Sequence, residues 1–193
     1  MNKTHPLLIS ACIFCAPGNV RGLEVNGIEI AERITQTSSQ QPLVLNGVGT
    51  RSKFIFDIYV GALYLTEPSN QARQILDSRH AKRISMHFIY DKIEREKMIN
   101  GWLEGFEENL SEEQLLLLKP KIDAFNSAFT DTIKGDVVVI DFLADATTIV
   151  TTNNHEKTRI NGANFQRAVL SIWLGEEPAD HSLKAAMLGG EQD

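Results

Sequence analysis

The chain has 193 residues, 42% of them hydrophobic, with 19 basic against 25 acidic side chains. That length suffices for one domain with a sizeable core, while a net charge of −6 and a pI near 5.4 give no electrostatic support to a nucleic-acid partner. Beyond the N-terminus no apolar run approaches the roughly 20 residues needed to span a bilayer as a helix.

Lys3 and His5 precede an apolar stretch from Pro6 to Pro17, the charge pattern of a short signal peptide. Residues 1–22 are therefore expected to be a leader, and the mature protein periplasmic or secreted; a loosely packed N-terminus is the alternative. Cys12 and Cys15 have C-x-x-C spacing, but no strand-to-helix context for a redox site and no second ligand pair for zinc. Ile9-Ser10-Ala11-Cys12 also resembles a lipoprotein processing site, behind a very short apolar stretch.

Asn26-Gly27, between Leu23-Glu24-Val25 and Ile28-Glu29-Ile30, is a strong hairpin signal. After a polar stretch (Thr35 to Gln41), strands are expected from Pro42 through Leu65, a short helix over Ser69 to Ser78 and a strand over Arg83 to Tyr90. Asp91 with Glu94, and Ser111 with Gln114, read as capping boxes. The first predicts a helix burying Ile99, Trp102, Leu103, Phe106 and Leu110; the second predicts one reaching Phe129, kinked or restarted at Pro120. Strands follow over Val137 to Phe142, Thr147 to Thr152 and Lys157 to Asn161. Phe165, Ala168, Val169, Ile172 and Trp173 then mark a helix stopped by Gly175, and a last helix runs from about Asp180 to Gly189. Strands on both sides of a helical centre predict a single α+β domain over 23–193, helices on one face of an antiparallel sheet.

Chemistry-bearing patterns are few. The five histidines lack metal spacing, His87 reads as a packed or edge residue, and no nucleophile elbow, P-loop or dinucleotide fingerprint is present. No metal or cofactor is expected. Asp136, Asp141 and Asp145 read as a hairpin rim. What stands out is Leu45 to Leu65, LNGVGTRSKFIFDIYVGALYL. Gly47 and Gly49 suggest close approach of other groups, and the run from Phe54 to Tyr64 reads as buried strand. Arg51 between them needs an anion or several acceptors if it is buried. Pairing with Asp57 or with a helix carboxylate would make it purely structural, and Tyr59 would then be an ordinary core aromatic.

The LNGVGTR segment with Gly61-Ala62-Leu63-Tyr64-Leu65, and the stretch INGANFQRAVLSIWLGEEPADHSLKAAMLG (Ile160 to Gly189), resemble the chalcone isomerase-like family over Leu23 to Gly189. The resemblance implies an open-faced β-sandwich: a large antiparallel sheet with helices on one side and a ligand cleft between. Catalytic members cyclise a chalcone with an arginine that stabilises developing negative charge, and Arg51 matches it. Tyr59 falls where those members carry a threonine, Ile93 near their catalytic tyrosine, Asn100 at their helix asparagine, and Ile172, beside Trp173, at a second threonine. A fatty-acid-binding branch holds the carboxylate with an arginine and a tyrosine, which Arg51 and Tyr59 reproduce.

The resemblance therefore implies a bacterial protein that binds a small amphipathic carboxylate without catalysis, and the leader implies its export. Arg51, Tyr59, Asn100, Ile93, Ile172 and Trp173 would form the ligand site. The alternative is an intramolecular lyase or isomerase with Arg51 as its catalytic residue. Phe54, Phe56, Ile58 and Trp102 are further wall candidates, although strict alternation sets the first three on the face opposite Tyr59.

Overall fold

Asn26 and Gly27 adopt φ of 48° and 75°, the doubly positive turn that matches strand twist. They close a hairpin of β1 (Gly22–Val25) and β2 (Ile28–Ala31). The computed structural model describes residues 22–190. The expected leader lies outside the described residues except for Gly22, and Cys12 and Cys15 lie outside them altogether.

Seven strands form one antiparallel sheet: β3 (Arg33–Gln36), β4 (Gln41–Lys53), β5 (Phe56–Leu65), β6 (Lys82–Phe88), β9 (Val137–Phe142), β10 (Thr147–Thr152) and β11 (His155–Asn161). Their spatial order is β11-β10-β9-β6-β5-β4-β3. Two short strands, β7 (Lys92–Ile93) and β8 (Thr132–Ile133), pair separately. The helices are α1 (Ala72–Asp77), α2 (Arg95–Asn109), α3 (Glu112–Asn126), α4 (Ala163–Leu174) and α5 (His181–Met187). The expected α+β architecture, an open-faced sheet with helices against it, is the one observed.

Period-2 alternation divides the apolar residues between two cores. Leu63, Leu65, Ile84, Met86, Val138, Ile140 and Phe142 meet the helices. Val60, Ala62 and Tyr64 face the other way, against Ile30, Leu43 and Ala81. Helix α4 is buried from Ala168 to Leu174, so its apolar surface is wider than the single stripe its sequence suggests.

The sheet is strongly curled. Gln36 on edge strand β3 donates from Nε2 to Asp141 Oδ1 on β9 at 2.9 Å and to the Lys82 carbonyl on β6 at 3.0 Å. Four inter-strand steps separate β3 from β9, roughly 19 Å in a flat sheet, so only a tight coil brings the two together. Asp141 also holds Arg83 in a two-pronged pair, at 2.7 and 2.8 Å. It is a buried cross-sheet acceptor, unlike the rim carboxylate the sequence suggests. Asp136 and Asp145 do serve turns, accepting from the backbone N–H of Ile133 and Thr147.

Several local expectations need correction. Helix α2 begins at Arg95 with Glu94 at its N-cap and no side-chain cap from its own segment. Asp91 lies too early because β7 intervenes. The Arg95 N–H is instead met by Asp131 Oδ1 from beyond α3, at 2.9 Å. The Ser111–Gln114 capping box forms in full, but α3 runs through Pro120 without interruption and ends at Asn126 rather than Phe129. Finally, the Phe54 to Tyr64 run is not one buried strand. Phe54 and Ile55 are the β4–β5 turn, 92% and 88% exposed.

Candidate functional site

Arg51 and Tyr59 sit directly opposite each other where β4 pairs with β5. Next to them the register slips, so that Ser52 faces Asp57 and Ile58 is left over as a bulge. The extra residue resets the alternation and brings Phe56 to the same side as Tyr59. Phe54, Phe56 and Ile58 consequently line a common cleft with Tyr59, against the strict-alternation expectation. The bulged Ile58 carbonyl accepts from the backbone N–H of both Ile89 and Tyr90, at 3.0 and 3.2 Å, which fixes the segment after β6 that brings Tyr90 to the cleft.

The cleft holds about 380 Å³, within the ~300–1,000 Å³ of small-molecule sites. Its sheet side is Arg51, Tyr59 and Phe88, and its helix side is Met98, Gly101 and Trp102 from α2, with Ile93 from β7. A Cβ built on Gly101 would meet no atom within 4 Å, so the missing side chain widens the cavity. A larger groove of about 710 Å³ runs between α1, α4 and the α2–α3 junction. Its three cations are engaged locally, Arg73 and Arg167 with Asp77 and Lys184 Nζ with the Gly175 carbonyl at 2.5 Å, so the smaller cleft is the better candidate.

Hydrogen-bond donors without acceptors distinguish the smaller cleft. Arg51 forms no ion pair among the described residues, and its Nε is buried without a partner. Its guanidinium carbon lies 5.8 Å from the Tyr59 ring centroid, within range of a cation–π contact. Asp57 accepts instead from Ser52 Oγ at 2.7 Å, and Asp180 from the backbone N–H groups of Ser52 and Leu183. Both structural pairings considered for Arg51 are thus absent.

Tyr59 is buried, and its hydroxyl accepts from Trp173 Nε1 at 2.8 Å. The phenol proton has no acceptor of its own among the described residues. Burial raises the phenol above its usual pKa, against the lowering influence of Arg51 and the Trp173 hydrogen bond, so it stays protonated and remains a donor. Trp102, whose ring centroid is 5.5 Å from that of Trp173, supplies a third group: its Nε1 is buried without a partner. Leaving such donors unmatched costs about 1–3 kcal/mol each. Sequence reasoning included Trp102 only as wall; its indole N–H becomes informative once its lack of an acceptor is seen.

Of the residues singled out from the sequence, Arg51, Tyr59 and Ile93 line the cleft. Trp173 lies behind Tyr59 through the hydroxyl contact. Asn100 is exposed on α2 and does not line the cavity. Ile172 is fully buried against Gly105, whose added Cβ would lie 3.0 Å from Ile172 Cγ2, so it serves the α2–α4 contact. The close approach anticipated at Gly47 is also real, but the neighbour is protein: a Cβ there would fall 2.0 Å from the Ala186 carbonyl oxygen at the end of α5.

The lining includes neither a carboxylate nor a histidine. The arrangement can hold an anion or a carbonyl oxygen at one end of an apolar cavity.

A family model described as chalcone isomerase-like matches residues 22–189. Among solved structures, an Arabidopsis thaliana fatty-acid binding protein is similar with a TM-score of 0.56 and 14% identity, over 81% of this chain and 96% of that one. No curated protein matches the chain.

Proposed function

The chain belongs to the chalcone isomerase-like family, and from that premise we propose that it binds a small amphipathic carboxylate, such as a fatty acid, without converting it. Arg51 and Tyr59 are the polar anchor of this reading, and Ile58, Phe88, Ile93 and Met98 wall the tail. The observation that carries it is the group of buried donors without acceptors, at Arg51 and Trp102, beside the free phenol proton of Tyr59. A carboxylate offers about four lone-pair sites to such a set. The resemblance to the Arabidopsis thaliana fatty-acid binding protein supports the same class of ligand. Export, read from Lys3, His5 and the apolar run behind them, belongs to this proposal.

The magnitudes divide the labour. A charge-assisted hydrogen bond nets about 1.5–3 kcal/mol, while each buried methylene contributes about 0.8 kcal/mol. A long tail thus supplies most of the gross affinity, from which association costs are subtracted. The head group sets orientation.

The test is to identify small molecules released on denaturing the protein purified from bacteria, with native mass spectrometry of wild type and Arg51→Ala in parallel. Fatty acids present in wild type and depleted in the variant are the expected result. An empty wild type that also ignores added fatty acid would end the carrier reading. The same donors would suit the oxyanion of an intramolecular cyclisation. In that second reading, Ile93, which lines the cleft, takes by resemblance the place of the family's catalytic tyrosine, and turnover of a chalcone is the discriminating assay.

A further inference from the structure

The β4–β5 turn presents its apolar side chains to water. Phe54 and Ile55 are almost fully exposed, and Phe56 beside them is 49% exposed. Phe54 holds φ of 59°, a left-handed conformation in which a bulky residue is an outlier and Asn or Gly the common occupant. Two large hydrophobes therefore sit at a turn where local chemistry favours small polar residues, and no contact among the described residues accounts for them. Such outliers point to function.

The tip stands beside the mouth of the cleft, which Phe54 and Phe56 help to line. Four of the fifteen lining residues are basic, Arg51, Lys53, Lys92 and Lys97, and none is acidic, in a chain of net charge −6. Lys92 is paired with Asp131 at 2.8 Å and Lys97 with Glu94 at 3.1 Å, all four side chains being exposed. Lys53, beside the tip, has no ion pair among the described residues. Exposed aromatic and aliphatic side chains next to lysines are the chemistry of interfacial membrane binding. The apolar groups enter the acyl boundary, and the ammonium groups stay with anionic headgroups.

We propose that the Phe54–Ile55 tip docks this protein onto an anionic lipid bilayer, with the cleft mouth turned toward the membrane. Charge favours this occupant over a second copy of the chain, which would bring Lys53, the cation beside the tip without an ion pair among the described residues, against its own equivalent. A convex tip of two residues also suits a fluid surface, which needs no matching groove. Docking rests on the turn and Lys53, so it holds whatever ligand the cleft takes.

The test is flotation of the full chain with vesicles of phosphatidylcholine alone or mixed with phosphatidylglycerol. The expected result is binding to the mixed vesicles that weakens as salt is raised. Phe54→Asn/Ile55→Asp, with Asn tolerated at positive φ, should lower the partition by about tenfold or more. Lys53→Glu alone should lower it by roughly fivefold to tenfold. Ile55→Asp, outside the cleft lining, should leave fatty-acid uptake from detergent-free solution unchanged, which separates failure of docking from failure of the carboxylate reading. The proposal is overturned if the mixed vesicles are not bound, if both vesicle types bind equally, or if the double variant floats like wild type. It is also overturned if the protein is a dimer that Ile55→Asp dissociates.

Discussion

Replacing Arg51 by methionine separates a ligand anchor from a structural ion pair, because the two roles give opposite signs. In the ligand-free fold the Arg51 Nε is buried without a partner, a cost of about 1–3 kcal/mol. The stacking of the guanidinium over Tyr59 returns about 0.5–2 kcal/mol. Methionine keeps much of the stem's packing and removes both terms. The ligand-free variant should therefore match wild type or exceed it by about 1 kcal/mol, a rise in Tm of roughly 2–4 °C for a domain of this size. Bound carboxylate should show the reverse. Loss of one charge-assisted hydrogen bond, about 1.5–3 kcal/mol, raises Kd on the order of 10- to 150-fold. Thermal unfolding of delipidated protein, with and without added fatty acid, reads both quantities in one experiment. A variant less stable than wild type when empty, or one with unchanged affinity, would refute the reasoning, because Arg51 would then be satisfied inside the fold.

Four further outcomes are expected. Tyr59→Phe leaves Trp173 Nε1 without its acceptor, so chemical denaturation should show a loss of about 1–3 kcal/mol, while calorimetry shows a smaller loss of ligand affinity than for Arg51→Met. Gly101→Leu removes a helix-interior glycine where a side chain meets no atom; it should gain about 0.5–1 kcal/mol in stability yet occupy the cleft, weakening ligand by more than about tenfold. Phe54→Asn relieves the positive-φ penalty, and its Tm should rise by an amount equivalent to about 1 kcal/mol. Burial lowers Lys82 to a pKa of about 8, from 10.5, so from pH 8 to 10.5 the unfolded chain holds a proton that the fold has released and stability rises with pH. Relative to wild type, Lys82→Met should therefore be most favourable near pH 7. The pH-dependent part of this difference, at most roughly 3 kcal/mol and offset by the bonds the ammonium donates to the Ser78 and His80 carbonyls, should fade by pH 10.5 in urea titrations.

Where local chemistry alone decides, the sequence was enough. Asn26-Gly27 and the Ser111–Gln114 box form as their side chains dictate, and alternation along β5 places Val60, Ala62 and Tyr64 opposite Leu63 and Leu65. Arg51 and Tyr59 were legible as a pair only through the family resemblance, and the β4–β5 register sets them opposite each other. What failed depended on partners distant in sequence. Asp131 caps α2 from 36 residues away, which no capping box reveals. The Ile58 bulge depends on the bonds its carbonyl makes to Ile89 and Tyr90. It reverses which residues share the face of Tyr59. Phe54 at positive φ carries no turn signal, since its hydrophobicity reads as strand. Asn100 and Ile172 were carried over by resemblance along helices, where a displacement of one position rotates a side chain by 100°.

The Gln36–Asp141 bond joins groups 105 residues apart, and that separation orders events during synthesis. A ribosome-bound chain that has emerged only through β6 can pair β3, β4, β5 and β6, but it lacks the acceptor that ties the outer edge inward. The tie between the sheet's outer strand and β9 is completed only once Asp141 is available, after α2 and α3 have been made. A nascent chain stalled before β9 therefore carries a sheet whose outer strand has no anchor on its far side.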